Sequence, residues 1–263
     1  MEGRYALITG ASSGIGLEFA RIAAKNRMNL ILLARSTDKL MSLRTEFESL
    51  YSIKVLAVAC DLSDPDAAGK IAELLHTRNI VPDVLINNAG FGLYGAFDQT
   101  DGDIEADMIQ VNIAALTELT KIIYRQMLRR GAGRILNVAS VAGFMPGPLF
   151  SVYYATKAYV LSFSKALAEE ARGTGVGVTV LCPGPTVTNF EANASAEGSK
   201  LFKSFGKLPT GKQVAEYGWR SMMRGKTVAV HGWKNRWMVF LIRFLPQKTV
   251  ARMVKTVQAP SGI

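Results

Sequence analysis

Short apolar runs alternate along the chain with longer segments in which apolar positions recur every three or four residues. The runs are RYALIT (4–9), NLILLA (29–34), KVLAVAC (54–60), DVLIN (83–87), GRILNVAS (133–140), GVTVLC (177–182) and TVAVHG (227–232), and we predict them as strands. Helix-period segments lie near 15–28, 36–50, 64–78, 104–130, 153–172 and 211–224. Continuously apolar strands between amphipathic helices predict an α/β fold, a doubly wound seven-stranded parallel sheet with helices on both faces.

The composition fits one domain in a reducing compartment. The chain has 263 residues, of which 49% are hydrophobic, so it can bury a large core. Cys60 and Cys182 each end an apolar run, which favours reduced thiols in a cytoplasmic protein over disulfides or a metal site. The N-terminus passes from MEGR into the first strand without a signal-peptide pattern. We therefore expect a cytoplasmic location and no metal.

Glycines follow the first predicted strand in TGASSGIG. Gly10, Gly14 and Gly16 permit a tight turn, close approach of the backbone to a pyrophosphate, and close helix packing. The backbone amides that open the next helix would face the phosphates. The alternative is that these glycines only shape a turn. Because strand, turn and helix follow in the required order, we favour a dinucleotide site.

The end of the second strand bears on the choice of dinucleotide. NAD sites place a carboxylate on the ribose 2′-hydroxyl at this point. Here the chain reads LILLARST, with Arg35 where an acid would stand. An arginine can pair with a 2′-phosphate, and the hydroxyls of Ser13 and Ser36 can support it. The sequence thus predicts NADP(H), with a solvated surface arginine as the alternative.

Two adjacent tyrosines precede a lysine in SVYYATKAYV (151–160). On a helix, Tyr153 lies four residues before Lys157 and Tyr154 three, so either side chain could meet the lysine. Tyrosine in an apolar helix is more often a core residue with a satisfied hydroxyl. The decapeptide alone leaves the choice open.

These features together resemble the short-chain dehydrogenase/reductase family. The resemblance also rests on NNAG (87–90), Asn112 in QVNIAA, Ser140 in NVASVAG and PGPTVT (183–188), and it covers residues 4 to about 232. It implies a single Rossmann-type domain, and it implies that Tyr153, not Tyr154, acts with Lys157. It implies Asn112, Ser140, Tyr153 and Lys157 as catalytic residues.

The resemblance also implies a cofactor site. Its residues would be Gly10, Ser12, Ser13, Gly14, Ile15, Gly16, Arg35, Ser36, Asp61, Leu62, Asn88, Ala89, Gly90, Tyr153, Lys157, Pro183, Gly184, Thr186 and Thr188. Asp61 and Leu62 would border the adenine, and Thr188 would contact the nicotinamide amide. Such proteins transfer hydride between the nicotinamide and a carbonyl or secondary alcohol. A non-catalytic NADP-binding regulatory protein of the same fold is the alternative.

Carbonyl reduction needs a proton donor and a group that stabilises the developing alkoxide. Tyr153 and Ser140 suit these roles. Lowering a phenol pKa from about 10 to about 7 requires roughly 4 kcal/mol. One ammonium at ~4 Å supplies about that much at an effective dielectric constant of ~20. We therefore expect Lys157 to lower the pKa of Tyr153 towards neutrality.

Two segments predict an apolar substrate. Residues 189–211 have the composition of a mobile lid and contain Phe190, Leu201, Phe202 and Phe205, which could cover a substrate or simply pack the loop. GFMPGPLF (143–150) adds Phe144, Met145, Leu149 and Phe150 to the expected wall. The segment YYATKAYVLSFSKALAEE is similar to the branch containing bacterial reductases of unassigned substrate, hydroxysteroid dehydrogenases and 3-ketoacyl-CoA reductases. A hydrophobic ketone is the expected substrate.

The net charge of +10 is concentrated at the C-terminus. From Ser199 onward there are 13 lysines and arginines and one acid, Glu216. We divide the chain into a catalytic domain (1–232) and a basic amphipathic extension (233–263). In the extension, a stripe of Val250, Met253, Val254 and Val257 would oppose Lys248, Arg252 and Lys255 on a helix.

Such a helix could lie on an anionic membrane, as a peripheral contact. It could equally pack on the body of the protein or on a second subunit. The expected partners are a homodimer or homotetramer and a small apolar carbonyl or alcohol substrate, and we expect no nucleic acid.

Overall fold

The computed structural model describes residues 3–187 and 208–259. Seven parallel strands form one sheet, and they are β1 (Tyr5–Thr9), β2 (Asn29–Ala34), β3 (Val55–Ala59), β4 (Val84–Asn87), β5 (Gly133–Val138), β6 (Val176–Cys182) and β7 (Val228–Val230). Their order is β3-β2-β1-β4-β5-β6-β7. The order reverses between β1 and β4, as in a doubly wound sheet. The predicted fold class is confirmed.

Helices cover both faces of this sheet. They are α1 (Gly14–Lys25), α2 (Thr37–Tyr51), α3 (Ala67–Thr77), α4 (Gly102–Ile109), α5 (Leu116–Arg130), α6 (Ser151–Glu170), α7 (Gly211–Met223), α8 (Trp233–Leu241) and α9 (Gln247–Gln258). One core layer packs α1, α2 and α7 against the sheet through residues such as Phe19, Phe47 and Trp219. The other packs α3, α5 and α6 through residues such as Ile71 and Ile123.

The predicted helix at 104–130 is divided in the structure. A π-helical segment, Gln110–Ala115, separates α4 from α5. Its wider turn holds Asn112 fully buried, where the side chain bonds to the backbone of Phe91. Apolar periodicity cannot reveal this segment, because the pattern of buried residues continues through it. Such π-helical turns often occur at functional sites.

The chain after β7 lies against the domain. Gly232 (φ +86°) directly precedes α8, a short 3₁₀ turn (Ile242–Phe244) follows α8, and α9 is the last helix of the described residues. Val239, Val250 and Gln258 are buried. None of the helices in residues 3–187 and 208–259 is long and apolar enough to cross a membrane. The described residues also contain no cluster of potential metal ligands.

Candidate active site

A cavity of about 730 Å³ lies where the strand order reverses. Much of its wall comes from residues that follow β1 to β6, so the carboxyl ends of these strands converge on it. This is the position at which doubly wound sheets bind ligands.

The structure brings most of the predicted site residues to this cavity. Those in its wall are Gly10, Ser12, Ser13, Gly14, Ile15, Arg35, Asp61, Leu62, Asn88, Ala89, Gly90, Ser140, Tyr153, Lys157, Pro183, Gly184 and Thr186. Gly16, Ser36 and Asn112 lie outside the wall. Thr188 and residues 189–207 of the expected lid, with Phe190, Leu201, Phe202 and Phe205, lie outside the described residues.

The glycine turn is held by Asn88. The Asn88 Nδ2 donates to the carbonyl oxygens of Thr9 (3.0 Å) and Gly10 (3.3 Å). Gly10 has φ +64°, and a Cβ at Gly16 would lie 2.2 Å from the Gly10 carbonyl oxygen. The closeness of the two backbone segments therefore requires glycine at Gly16, even though Gly16 does not line the cavity.

The N-terminus of α1 faces the cavity through Gly14 and Ile15. Its N-cap residue, Ser13, makes no capping bond with its side chain, and the first turn carries no acid. The amides that open a helix attract anions. Arg35 lies exposed directly after β2 in the same cavity, whereas Ser36 is the N-cap residue of α2 and makes no capping bond with its side chain.

Ser140 and Tyr153 are connected by a hydrogen bond. Ser140 follows β5, where its Oγ accepts from the Ala142 amide (3.1 Å) and donates to the Pro183 carbonyl (3.4 Å). Tyr153 lies on the first turn of α6 and forms part of the cavity wall. The Lys157 Nζ lies 5.7 Å from the centre of the Tyr153 ring and donates to the Val138 carbonyl (3.1 Å). The three predicted side chains thus meet.

Electrostatics corrects one expectation. Burial raises the pKa of Tyr153 to about 12, although the hydrogen bond with Ser140 acts in the opposite direction. Burial also lowers the pKa of Lys157 to about 8, with a smaller opposing effect of Cys182. The expected fall in the Tyr153 pKa was wrong, because burial removes hydration from the phenolate, and the attraction of the Lys157 ammonium alone does not account for that loss.

Asn112 forms a buried support behind Lys157. Its Nδ2 donates to the Phe91 carbonyl and to Thr156 Oγ1, both at 3.0 Å, and its Oδ1 accepts from the Phe91 amide (3.2 Å). A Cβ at Gly90 would lie 2.7 Å from Asn112 Oδ1 and 3.2 Å from Lys157 Nζ. Gly90 thus allows the end of β4 to approach both side chains.

The C-terminal helix supplies a wall that the sequence did not assign. The predicted lipid-facing stripe of Val250, Met253, Val254 and Val257 lines the cavity, together with Gln258. The position of the stripe agrees with the alternative of packing on the body of the protein, with Val250 buried, although Met253 stays 54% exposed and Val257 39% exposed. The amphipathic pattern of α9 predicted that its apolar face has a partner, but it did not identify that partner as the cavity wall.

Other parts of the apolar wall were predicted in part. Met145 and Phe150 line the cavity as expected. Phe144 packs instead in the cluster around Val160, and Leu149 lies outside the wall. Met238 and Ile242, from α8 and the 3₁₀ turn, also contribute without having been predicted.

Tyr154 has a different environment from Tyr153. Its hydroxyl accepts a hydrogen bond from Gln258 Nε2 (2.5 Å), and Tyr94 donates to the Gln258 carbonyl oxygen (2.8 Å). Burial raises the pKa of Tyr154. These bonds fasten the end of α9 beside the tyrosine pair.

The comparison with protein families identifies the class. Residues 4–198 match the family model for short chain dehydrogenases. The chain therefore belongs to the short-chain dehydrogenase/reductase family.

Two curated relatives are similar over the same part of the chain. The human very-long-chain 3-oxoacyl-CoA reductase is 35% identical over 185 residues, which are 69% of this chain and 59% of that protein. The rat 17-beta-hydroxysteroid dehydrogenase type 3 is 36% identical over 184 residues, again 69% and 59%. The match thus spans about three-fifths of the length of these relatives.

Solved structures of similar fold contain different nicotinamide cofactors. A short-chain dehydrogenase from Sphingobium yanoikuyae in complex with NADPH has a TM-score of 0.81 and 28% identity, covering 93% of this chain and 97% of that chain. A family member from Burkholderia phymatum in complex with NAD has a TM-score of 0.81 and 23% identity, covering 100% and 98%. The second likeness concerns the fold alone.

Proposed function

We propose that the protein is an NADP(H)-dependent oxidoreductase that transfers hydride between the nicotinamide and the carbonyl or secondary alcohol of an apolar substrate. One observation carries this proposal. A single cavity combines the glycine turn and Arg35 with Ser140, Tyr153 and Lys157 and with an apolar wall. The glycine turn and Arg35 fit a dinucleotide. Ser140, Tyr153 and Lys157 fit proton transfer, and the apolar wall fits an apolar substrate.

The residues present fit a nicotinamide dinucleotide. The close approach at Gly16 leaves no room for a side chain beside the turn, and the amides of the first turn of α1 are available to a pyrophosphate. Arg35 would hold the 2′-phosphate, because guanidinium pairs with phosphate oxygens in a bidentate manner. Bound nicotinamide would supply or accept the hydride, which no side chain of this chain can do.

Tyr153 and Ser140 would handle the oxygen of the substrate. The raised pKa keeps the Tyr153 phenol protonated at neutral pH, so it holds a proton for the alkoxide formed in reduction. The Ser140 hydroxyl donates to Pro183 only over 3.4 Å, and it can turn to the developing charge. Lys157 adds an ammonium beside the phenol while its charged form persists, below a pKa of about 8.

The wall of the cavity favours an apolar ketone of the 3-ketoacyl or steroid type. Met145, Phe150, Val250, Val254 and Val257 face the space beside Tyr153, and none of them can hydrogen-bond a sugar. The names of the two curated relatives agree with such substrates, one being a 3-oxoacyl-CoA reductase and the other a hydroxysteroid dehydrogenase.

The proposed activity is tested by following NADPH oxidation with panels of ketones, aldehydes, steroids and 3-ketoacyl thioesters. Tyr153→Phe should reduce turnover by at least a thousandfold while leaving NADPH affinity unchanged, because only the proton donor is lost. Tyr154→Phe is the matched control, since it removes a hydroxyl that bonds to Gln258, and it should retain turnover. NADPH binding without turnover on any panel would favour the regulatory alternative.

The cofactor preference is tested by titrating NADPH and NADH. One charged phosphate pair contributes about 1.5 to 3 kcal/mol, so NADPH should bind at least about tenfold more tightly. Arg35→Ala should remove this difference, whereas Arg125→Ala, an exposed arginine on α5, should not. Equal affinities in the wild type would contradict the assignment of Arg35.

We also propose a cytoplasmic homodimer or homotetramer. The free thiols of Cys60 and Cys182 support a reducing compartment. Membership of the short-chain dehydrogenase/reductase family supports the oligomer, because such proteins are commonly oligomeric. Analytical ultracentrifugation would measure the subunit number, and a monomer at all concentrations would exclude the oligomer.

A further inference from the structure

The outer side of α8 and of the 3₁₀ turn carries a continuous group of exposed aromatic and aliphatic side chains. This aromatic patch consists of Trp233, Trp237, Phe240, Leu241 and Phe244. Trp237 is 59% exposed and Phe244 is 73% exposed. The ring centres of Trp237 and Phe240 are 6.0 Å apart, and those of Phe240 and Phe244 are 5.3 Å apart. Single exposed apolar residues are ordinary, but a contiguous patch of this kind marks an interaction surface.

The inner side of the same element is already occupied. Val239 is buried in the cluster around Val160, and Met238 and Ile242 line the cavity. The element is therefore apolar on two sides, of which only the inner one packs on the described protein. A helix with an apolar face in water normally has a partner for that face.

The charges around the aromatic patch indicate the nature of that partner. Lys234, Arg236 and Arg243 are exposed on the same element, and Lys248, Arg252 and Lys255 are exposed on α9. The segment 233–259 contains no aspartate or glutamate. None of its basic residues forms a salt bridge with another described residue. The surface is thus strongly cationic.

A second copy of the chain is a poor partner for this surface. A twofold contact would place the same patch on both subunits, so these cations would face each other without an acid between them. An anionic lipid surface offers opposite charge together with an apolar layer. Tryptophan and phenylalanine favour the boundary between headgroups and acyl chains, and basic residues favour anionic headgroups.

We propose that the aromatic patch and its flanking basic residues bind the surface of an anionic lipid bilayer. The aromatic rings enter the headgroup boundary and the lysines and arginines lie above it. The stripe of α9 predicted from the sequence lines the cavity, with Val250 buried and Val254 half-buried, so we assign the lipid contact to the aromatic patch. Met238 and Ile242, on the other side of α8 and of the 3₁₀ turn, line the cavity, so the bilayer lies against the element that forms its wall. Binding itself does not depend on the proposed enzymatic activity.

The test is co-sedimentation of the full chain with two kinds of vesicle, pure phosphatidylcholine and phosphatidylcholine containing phosphatidylglycerol. The wild type should sediment with the anionic vesicles at low salt, and at least tenfold less with neutral vesicles or at high salt. The double variant Trp237→Ser, Phe244→Ser should bind anionic vesicles at least tenfold more weakly. Phe97→Ser is the matched control, because Phe97 is an isolated aromatic residue with 68% exposure.

Two charge-reversal variants test the electrostatic contribution to lipid binding. Arg243→Glu should weaken sedimentation with anionic vesicles, and Arg125→Glu, at an exposed position on α5, should not. Circular dichroism and the thermal midpoint confirm that each variant is folded. No sedimentation of the wild type at low salt, or wild-type binding by the double variant, would overturn the proposal. The proposal would also be overturned if the wild type were an oligomer, and if the double variant were a monomer that binds vesicles as the wild type does.

Discussion

Lys157 is a buried cation that the fold holds at a cost in stability. The residue is 4% exposed, its Nζ donates to the Val138 carbonyl, and no described acid pairs with it. Burial lowers its pKa from 10.5 to about 8. This change corresponds to about 3 kcal/mol of unfavourable free energy when the amine is charged in the folded state. We predict that Lys157→Met stabilises the protein at pH 7.

The expected gain is smaller than the full cost. The substitution leaves the Val138 carbonyl without its donor, which costs about 1 kcal/mol, so the net gain at pH 7 should be roughly 2 kcal/mol. For a chain of this size this corresponds to a rise of about 4 to 8 °C in Tm. The activity should be lost in the same variant, as expected where a site keeps a destabilising group for its function.

The pH dependence separates the charge from the packing. Lys157 binds fewer protons in the folded than in the unfolded state between pH 8 and 10.5. Its destabilising effect is therefore complete below about pH 8 and disappears above the unfolded pKa. At pH about 9.5 the destabilisation by the Lys157 charge should fall from about 3 to roughly 1.5 kcal/mol. The stability gained by Lys157→Met should fall by the same amount.

Equilibrium denaturation in urea at several pH values between about 7 and 9.5 measures this gain. Lys165→Met is the control, since Lys165 is exposed on the same helix. Its effect on the free energy of unfolding should be small and independent of pH. A Lys157→Met variant that is no more stable than the wild type at pH 7, or a gain that does not shrink with pH, would refute the reasoning.

Two further predictions concern the same site. Carbonyl reduction should be level from about pH 6 to about 8 and should fall at higher pH, as Lys157 loses its charge; a rate that rises through this range would contradict the role of the ammonium. Gly16→Ala should weaken NADPH binding at least tenfold, because its Cβ would lie 2.2 Å from a backbone carbonyl oxygen. Gly69→Ala on α3 is the control, with nothing within 4 Å of the added Cβ, and it should raise stability by about 0.5 to 1 kcal/mol and leave binding unchanged.

The sheet and the glycine turn could be predicted because their signals are local. Each strand is a continuous apolar run, and parallel strands joined by helices leave few ways to arrange the sheet. The turn after β1 likewise carries its geometry in its own residues, since Gly10 adopts φ +64° and Gly16 lies against its carbonyl. The predicted fold class followed from such features.

The missed features depend on contacts between distant segments. The stripe of α9 is as apolar as a lipid-facing stripe, and only the packed chain shows that Val254 and Val257 face the cavity. The pKa of Tyr153 depends on how much water the surrounding elements remove, which no spacing of residues records. The π-helical turn at Asn112 is hidden for the same reason, because its bonds reach Phe91, 21 residues away.

The two adjacent tyrosines belong to different parts of the cavity. Tyr153 is bonded to Ser140 and lies beside Lys157, so it belongs to the part of the cavity suited to proton transfer. Tyr154 is bonded to Gln258, so it belongs to the part that holds the last helix in place. Because the two side chains are neighbours on one helix, the wall formed by α9 is fixed relative to the proton donor. The C-terminal segment therefore shapes the space for the substrate next to Tyr153, while the turn after β1 shapes the space for the dinucleotide.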